Sequence, residues 1–220
     1  MTSEIAKRIL SSIFLIPLAL FFIFKGSYFF IFFMIIFLVG ASYEWNKMSK
    51  KKLYKIPGLI FLIVSVYLTI EFRGNGNNQL FIFLIAILIC VSTDIGGYVF
   101  GNIFKGPKIF KSISPKKTYS GSIGGYFLSI FFVYFFIKNS FLIDNNLSTY
   151  FGLKELFWII LISTISQLGD FIISYFKRKA NLKNTGSILP GHGGLLDRMD
   201  GMIFAIPFAY IFLNLFSKWD

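Results

Sequence analysis

Acidic side chains that interrupt apolar stretches are the residues of this sequence best suited to chemistry. Asp94 and Asp170 lie inside long apolar runs, and Asp197 and Asp200 precede another one. A carboxylate at mid-helix in a membrane costs about 2.5–3.5 kcal/mol, so such acids need a partner such as a cation. Carboxylate oxygens suit Mg²⁺, and these acids therefore predict a metal site. An acid near a helix end, such as Glu44, can instead simply reach the polar interface.

Hydroxyl and basic side chains follow Asp170 at helical spacing. Ser174 and then Lys177 or Arg178 would share one helix face with Asp170. This face would suit a metal and a phosphate, although an ordinary salt bridge within the helix gives the same pattern. A second segment of this kind supplies Ser114, Lys116, Lys117 and Thr118. Its lysines and hydroxyls can bind a polyphosphate, or the lysines can serve only to hold the loop at one membrane face.

A glycine-rich turn precedes the last apolar run. Gly191, Gly193 and Gly194 have no side chains to keep an anion away from the backbone amides. The turn also leads into the start of a predicted helix, where unpaired N–H groups attract phosphate. His192 could hydrogen-bond a phosphate or position a water. The alternative is that these glycines form only a flexible turn.

The available residue types limit which metal the site can hold. Asp197 and Asp200 are three apart and can share a face that holds a divalent cation, with Arg198 neutralising charge beside them. His192 is the only histidine of the chain, and the only cysteine, Cys90, lies inside an apolar run. One histidine and one cysteine exclude a zinc centre and a disulfide within the chain.

The elements that must position these residues are apolar helices. Of the 220 residues, 55% are hydrophobic and 15% are charged, which excludes a disordered chain, a disulfide-rich secreted module and an ordinary soluble domain. Long apolar runs predict an all-α, polytopic membrane protein with about seven spans, in a range of about six to nine. Gly97, Gly101, Gly121 and Gly125 have the small-xxx-small spacing of closely packed helices. The predicted helices are 9–24, 27–43, 56–71, 79–100, 121–137, 155–176 and 201–217.

The net charge of +12 would suggest a nucleic-acid partner in a soluble protein. Here the basic residues gather in polar segments between the apolar runs, which is how membrane proteins fix their orientation. With the N-terminus in the cytoplasm, 17 basic residues fall on the cytoplasmic side and five on the other. The distribution predicts a cytoplasmic N-terminus, an acidic cluster at the same face and no nucleic-acid partner.

Five segments resemble, in the same order, segments of phosphatidate cytidylyltransferases, which are also called CDP-diacylglycerol synthases. The most specific is the 27-residue signature Ser174–Asp200, and the resemblance extends over about residues 43–201. The other segments are Tyr43–Trp45, Asp94–Tyr98, Ser114–Thr118 and Gln167–Asp170. The resemblance implies that the lipid phosphate attacks the α-phosphorus of CTP. CMP would then pass to phosphatidate, giving pyrophosphate and CDP-diacylglycerol for phospholipid biosynthesis.

The resemblance also implies roles for individual residues. The implied metal ligands, for Mg²⁺ with K⁺ as a candidate second ion, are Asp170, Asp197 and Asp94. The implied catalytic residues are Asp170, Asp197, Asp200, Lys177 and Arg198. The implied substrate-binding residues are Ser114, Lys116, Lys117, Thr118, Ser174, Arg178, His192, Gly193 and Gly194. CTP, phosphatidic acid and the lipid bilayer are then the partners, and a homodimer is a further expectation.

Three positions depart from the family pattern, and each lacks an acid that relatives commonly carry. They are Asn184, Ser120 and Ile173. Two alternatives therefore stay open, a transporter or flippase of an anionic phospholipid and a non-catalytic relative. We expect one transmembrane domain over 1–220, with helices 1–3 in 1–78 and the catalytic helices and loops in 79–220. A chain without added soluble domains suits a bacterial inner membrane, with the active site facing the cytoplasm.

Overall fold

The computed structural model describes residues 2–49, 53–139, 152–189, 191 and 193–216. Each of the seven predicted apolar segments is helical in it, and a short further helix, α7, precedes the last one. The helices are α1 Thr2–Lys25, α2 Ser27–Met48, α3 Lys55–Arg73, α4 Asn77–Phe104, α5 Tyr119–Lys138, α6 Leu153–Lys179, α7 Leu196–Met199 and α8 Met202–Phe216. The prediction of an all-α chain is confirmed for the described residues.

The apolar helices identify an integral membrane protein. Within the described part of the chain, the five helices α2 to α6 are long and apolar enough to cross a membrane. The apolar parts of α1 and α8, Leu10–Lys25 and Met202–Leu215, are shorter than the roughly 20 residues that a span usually needs. Seven spans and a cytoplasmic N-terminus therefore stay predictions. Large apolar side chains such as Phe32, Ile36 and Val39 of α2 are exposed, as expected of a surface that faces lipid.

Glycines bring α4 and α5 into close contact, as their spacing predicts. A Cβ at Gly121 would lie 2.6 Å from the carbonyl oxygen of Gly97, and Gly101 and Thr118 border the same position. Gly96 packs in the same way against the backbone of Gly124. Because no side chain separates the two backbones here, the loop between α4 and α5 is held close to the end of α4.

Arg73, a buried arginine at the C-terminal end of α3, fixes the turn between α1 and α2. Gly26 has a φ of 61°, a conformation that glycine adopts without strain. The Arg73 side chain donates from Nε to the Ile23 carbonyl at 2.9 Å and from Nη2 to the Phe24 carbonyl at 3.2 Å. These bonds satisfy carbonyls that the end of α1 leaves unpaired.

Close packing of α6 against the start of α8 brings two acids of the sequence together. A Cβ at Gly169 would lie 2.9 Å from the carbonyl oxygen of Asp200, and one at Gly201 would lie 2.5 Å from Ser166 Oγ. The two glycines therefore allow the backbones to approach closely, and Asp170 comes next to Asp200.

Candidate active site

Asp170, near the end of α6, binds a lysine and a hydroxyl. Lys117 Nζ, from the loop before α5, forms an ion pair with Asp170 Oδ2. The same ammonium lies 4.4 Å from the ring centroid of Phe171, a cation–π contact that further fixes it. Ser174 Oγ donates to Asp170 Oδ1 at 3.2 Å. The predicted face shared by Asp170 and Ser174 is confirmed as a contact.

Lys177, two turns after Asp170, bridges two acids that follow the glycine-rich turn. Its Nζ lies 2.9 Å from Asp197 Oδ1 and 3.9 Å from Asp200 Oδ2. The three side chains are only 10%, 10% and 14% exposed, so water screens their charges little. Lys177 therefore forms its ion pairs with acids of a different segment, while its charge also acts on Asp170 of its own helix.

Asp170 and Asp200 lie close enough for their side chains to interact, and Lys177 interacts with both. Burial raises the pKa of the Asp200 carboxyl well above its ordinary value, and the nearby charge of Asp170 raises it further. Asp94, ten residues before the end of α4, is close enough to Asp170 and Lys117 to interact with both charges. Four acids and two lysines of the sequence thus form one cluster, which we call the acid–lysine cluster: Asp94, Asp170, Asp197, Asp200, Lys117 and Lys177.

The carboxylate of Asp197 is already occupied by protein donors. Besides Lys177 at Oδ1, its Oδ2 accepts hydrogen bonds from the backbone amides of Thr185 at 2.8 Å and Gly194 at 3.1 Å. The structure therefore brings Asp170 next to Asp200, whereas the spacing suggested a pair of Asp197 and Asp200 and the resemblance implied Asp170, Asp197 and Asp94 as metal ligands. A metal role for Asp197 stays a prediction.

The glycine-rich turn uses its amides within the protein. Gly193, at a φ of 91°, donates to the Leu189 carbonyl at 3.2 Å and accepts from the Leu189 amide at 3.0 Å. The amide of Gly194 binds Asp197. The expectation that these two amides are open to an anion is thus wrong for this conformation. His192 lies outside the described residues, and its role stays a prediction.

The predicted phosphate-binding loop before α5 is tied to both helices beside it. The side chain of Thr118 accepts from the Gly121 amide at 3.1 Å and so caps the start of α5. Arg178 on α6 donates from Nε to the Ile113 carbonyl at 3.2 Å. Lys116 is exposed, while Lys117 reaches Asp170. Thr118 and Arg178 therefore support the loop in this structure, and their predicted contacts with substrate stay predictions, as do those of Ser114 and the exposed Arg198.

The three departures from the family pattern occupy different surroundings. Ile173 is buried in the apolar core with 3% of its surface exposed. Ser120 donates to the Lys105 carbonyl and contacts Thr118 Oγ1 at 3.0 Å. The Asn184 amide lies beside Gly193, on the side that Asp197 Oδ2 also faces. Of the three, Asn184 is therefore the one whose side chain borders the glycine-rich turn.

Sequence reasoning missed the part that Glu44 has in building this site. Glu44 is fully buried, and it accepts hydrogen bonds from Thr185, Leu195 and Leu196, which flank the glycine-rich turn. The idea that it reaches the polar interface is therefore wrong. Its place in the Tyr43–Trp45 segment that resembles the family was the available signal, but nothing in the sequence identified its partners, which lie 141 to 152 residues away.

The donor set can be compared with what Mg²⁺ requires. Among the described residues, no three carboxylate, imidazole or thiol groups converge as a ready metal site. Asp170 and Asp200 do supply two adjacent carboxylates, and Mg²⁺ is normally bound by one or two carboxylates together with waters and substrate phosphates. The residues present therefore fit a Mg²⁺ that completes its coordination with substrate.

Comparison with known proteins places the chain in a family. The model of the cytidylyltransferase family matches residues 59–216, which include the whole acid–lysine cluster. The chain is 36% identical over 218 residues to the phosphatidate cytidylyltransferase of Rickettsia bellii (strain RML369-C), covering 96% of this chain and 91% of that protein. Identity to the protein of the same name from Rickettsia conorii (strain ATCC VR-613 / Malish 7) is 38% over 208 residues, covering 91% and 87%. Identity to the phosphatidate cytidylyltransferase of Staphylococcus aureus (strain COL) is 39% over 185 residues, covering 80% of this chain and 68% of that protein. The chain therefore belongs to the cytidylyltransferase family and is a nucleotidyltransferase.

Proposed function

We propose that this protein transfers CMP from CTP to phosphatidate and releases pyrophosphate, so that CDP-diacylglycerol forms. The observation that carries the proposal is the acid–lysine cluster at one end of the apolar helices, in a chain similar to proteins named phosphatidate cytidylyltransferase. A lipid phosphate can reach such a site from the bilayer, and a nucleotide can reach it from the aqueous side. A cluster at the end of the helices suits both substrates.

The reaction needs no nucleophile from the protein. An oxygen of the phosphatidate phosphate forms a bond to the α-phosphorus of CTP, and the bond from that phosphorus to the oxygen bridging the α and β phosphates breaks. The electron pair leaves with pyrophosphate. Transfer of this kind depends mainly on positioning and on neutralising charge.

Lys117 and Lys177 are the cations best placed to neutralise that charge. Lys117 reaches into the cluster from a loop, and its neighbour Lys116 is exposed and can meet the outer phosphates. Lys177 is held between Asp197 and Asp200, so its ammonium has a fixed position. Arg198 lies on the same segment as these acids and adds a further positive charge.

We further propose that the enzyme uses Mg²⁺, with Asp170 and Asp200 as the carboxylates that hold it and Asp94 close by. When bound, the ion would supply positive charge to the phosphate oxygens. Asp197 and a K⁺ ion remain candidates for a second role at the site. Asp170, which pairs with Lys117 in this structure, would then share its carboxylate between this lysine and the ion.

The location of the enzyme follows from the same chemistry. CTP is available on the cytoplasmic side of a membrane, and the basic segments that the topology assigns to that side contain Lys117 and Lys177. We therefore propose a bacterial inner membrane with the site facing the cytoplasm. A homodimer stays a prediction.

The test is phosphatidate-dependent incorporation of label from α-labelled CTP into lipid by the purified protein. Incorporation is expected to stop with EDTA and to return with Mg²⁺, while Ca²⁺, which prefers larger and more flexible coordination, restores less. Binding of CTP without incorporation would identify a non-catalytic relative. Movement of phosphatidate across vesicles without CTP would indicate a flippase.

A further inference from the structure

We propose that Glu44 is a positioning residue that holds the glycine-rich turn, and through it Asp197 and Lys177, in the active arrangement. The expected effect of Glu44 on turnover rests on the function proposed above, whereas its expected effect on the structure of the turn does not. Glu44 belongs to α2 and to the Tyr43–Trp45 segment, which precedes residues 59–216, the range that the family model matches. It is fully buried.

Both carboxylate oxygens of Glu44 are used by one segment of the chain. Oε1 accepts from the Leu195 amide at 2.8 Å, and Oε2 accepts from the Leu196 amide at 2.9 Å and from Thr185 Oγ1 at 2.8 Å. The donors lie on the two sides of the glycine-rich turn. A single side chain therefore ties together the residues where the turn begins and where it ends.

Two glycines of the segment make room for this carboxylate. A Cβ at Gly186 would lie 2.5 Å from Glu44 Oε1, and a Cβ at Gly194 would lie 2.6 Å from Glu44 Oε2. A side chain at either position would collide with Glu44, and one at Gly194 would also collide with Thr185 Oγ1, at 2.0 Å from its Cβ. Gly186 and Gly194 are thus needed for contact with Glu44, which is a reason for these glycines that does not involve a bound anion.

The link to the acid–lysine cluster passes through Thr185. Its hydroxyl donates to Glu44, and its backbone amide donates to Asp197 Oδ2 at 2.8 Å. Asp197 in turn holds Lys177 at 2.9 Å. Because each bond fixes the next residue, a substitution of Glu44 should displace Asp197 and Lys177, although Glu44 itself does not contact the substrate.

Hydrogen–deuterium exchange of the full-length protein in detergent measures the structural part. Glu44→Gln keeps the shape of the side chain but turns one oxygen into an NH₂ group, which leaves at least one buried backbone N–H without an acceptor. We expect exchange of the peptide containing Leu195 and Leu196 to rise roughly tenfold to a hundredfold. Thr185→Val, which removes only the hydroxyl bond, should give a smaller rise. Glu71→Gln, at an exposed acid of α3, is the matched control and should give none.

Turnover of CTP and phosphatidate measures the catalytic part. Glu44→Gln should lower kcat by roughly tenfold or more, because displacing a positioned group by about 1 Å can cost about a hundredfold. The apparent KM for CTP should change little, since Lys116 and Lys117 lie on another loop. A variant that only folded poorly would lower the active fraction and leave the exchange of the folded molecules unchanged.

Unchanged exchange in Glu44→Gln would overturn the proposal, and so would faster exchange accompanied by wild-type kcat. If Glu44→Gln does not fold, Thr185→Val decides, and wild-type exchange and kcat in that variant would equally overturn it. Exchange is measured without substrate. A wild-type protein that turns over no CTP while Glu44→Gln exchanges faster would therefore refute the proposed function and leave the structural role of Glu44 supported.

Discussion

Replacing Asp197 by Asn removes one charge from the acid–lysine cluster and keeps the shape of the side chain. The Asn carbonyl can still accept the amides of Thr185 and Gly194, which both bind one oxygen of Asp197. Its NH₂ group then faces Lys177, which loses the bond of 2.9 Å and keeps only Asp200 at 3.9 Å. A hydrogen bond between charged groups contributes about 1.5–3 kcal/mol, and little is screened at 10% exposure.

We therefore expect Asp197→Asn to be less stable by about 2 kcal/mol, or about 4–8 °C in the midpoint of thermal unfolding for a chain of this size. Turnover of CTP and phosphatidate should fall by roughly a hundredfold, since Lys177 is no longer fixed. The unfolding midpoint in detergent and the labelled-CTP assay measure the two effects separately.

The double variant Asp197→Asn with Lys177→Met distinguishes a structural pair from a catalytic one. Removing both charges of the 2.9 Å pair leaves only Asp200 without its more distant lysine at 3.9 Å, so most of the stability should return, while activity should stay low because the cation is gone. Glu71→Gln serves as the control for loss of one acid. Wild-type turnover in Asp197→Asn, or a double variant as unstable as the sum of both single variants, would refute the reasoning.

Two further predictions concern the loop before α5 and the helix that follows it. Lys117→Ala should raise the apparent KM for CTP more than Lys116→Ala, because Lys117 binds Asp170 within the cluster whereas Lys116 is exposed. Initial rates measured against CTP concentration test this, and equal curves for the two variants would contradict it. Gly121→Ala should lower stability by about 1–3 kcal/mol, because its Cβ would meet the Gly97 carbonyl at 2.6 Å. Gly97→Ala is the matched control, since its Cβ would lie 3.9 Å from the nearest atom, and thermal midpoints of the two should differ in that order.

Much of the fold follows from the sequence because it depends on local patterns. Each predicted apolar segment is helical, since long apolar runs in lipid must satisfy their own backbone hydrogen bonds. The contact of Ser174 with Asp170 is also local, because residues four apart on a helix are neighbours. The spacing of Gly97, Gly101, Gly121 and Gly125 likewise predicted closely packed helices, but not that Gly97 would meet Gly121.

The short helix α7 could not be foreseen, and neither could the use of the turn's amides. Four residues are too few to show a period, and the amides of Gly193 and Gly194 have acceptors that depend on how the chain folds back. The sequence suggested two uses for the glycines of this turn, amides open to an anion or a flexible turn. The reason at Gly194 is the buried carboxylate of Glu44 and not an open amide.

The sequence alone thus determined the lipid-embedded helices, the family and the set of acids and bases that gather at one end of them. Only the tertiary structure decided which of these charges meet. Asp170 contacts Asp200 and Lys117, Lys177 binds Asp197, and Glu44 holds the turn from a helix about 140 residues away in sequence. Spacing along one helix specifies neighbours within that helix, whereas contacts between segments depend on how the helices pack, and in this chain glycines at the helix contacts allow that packing.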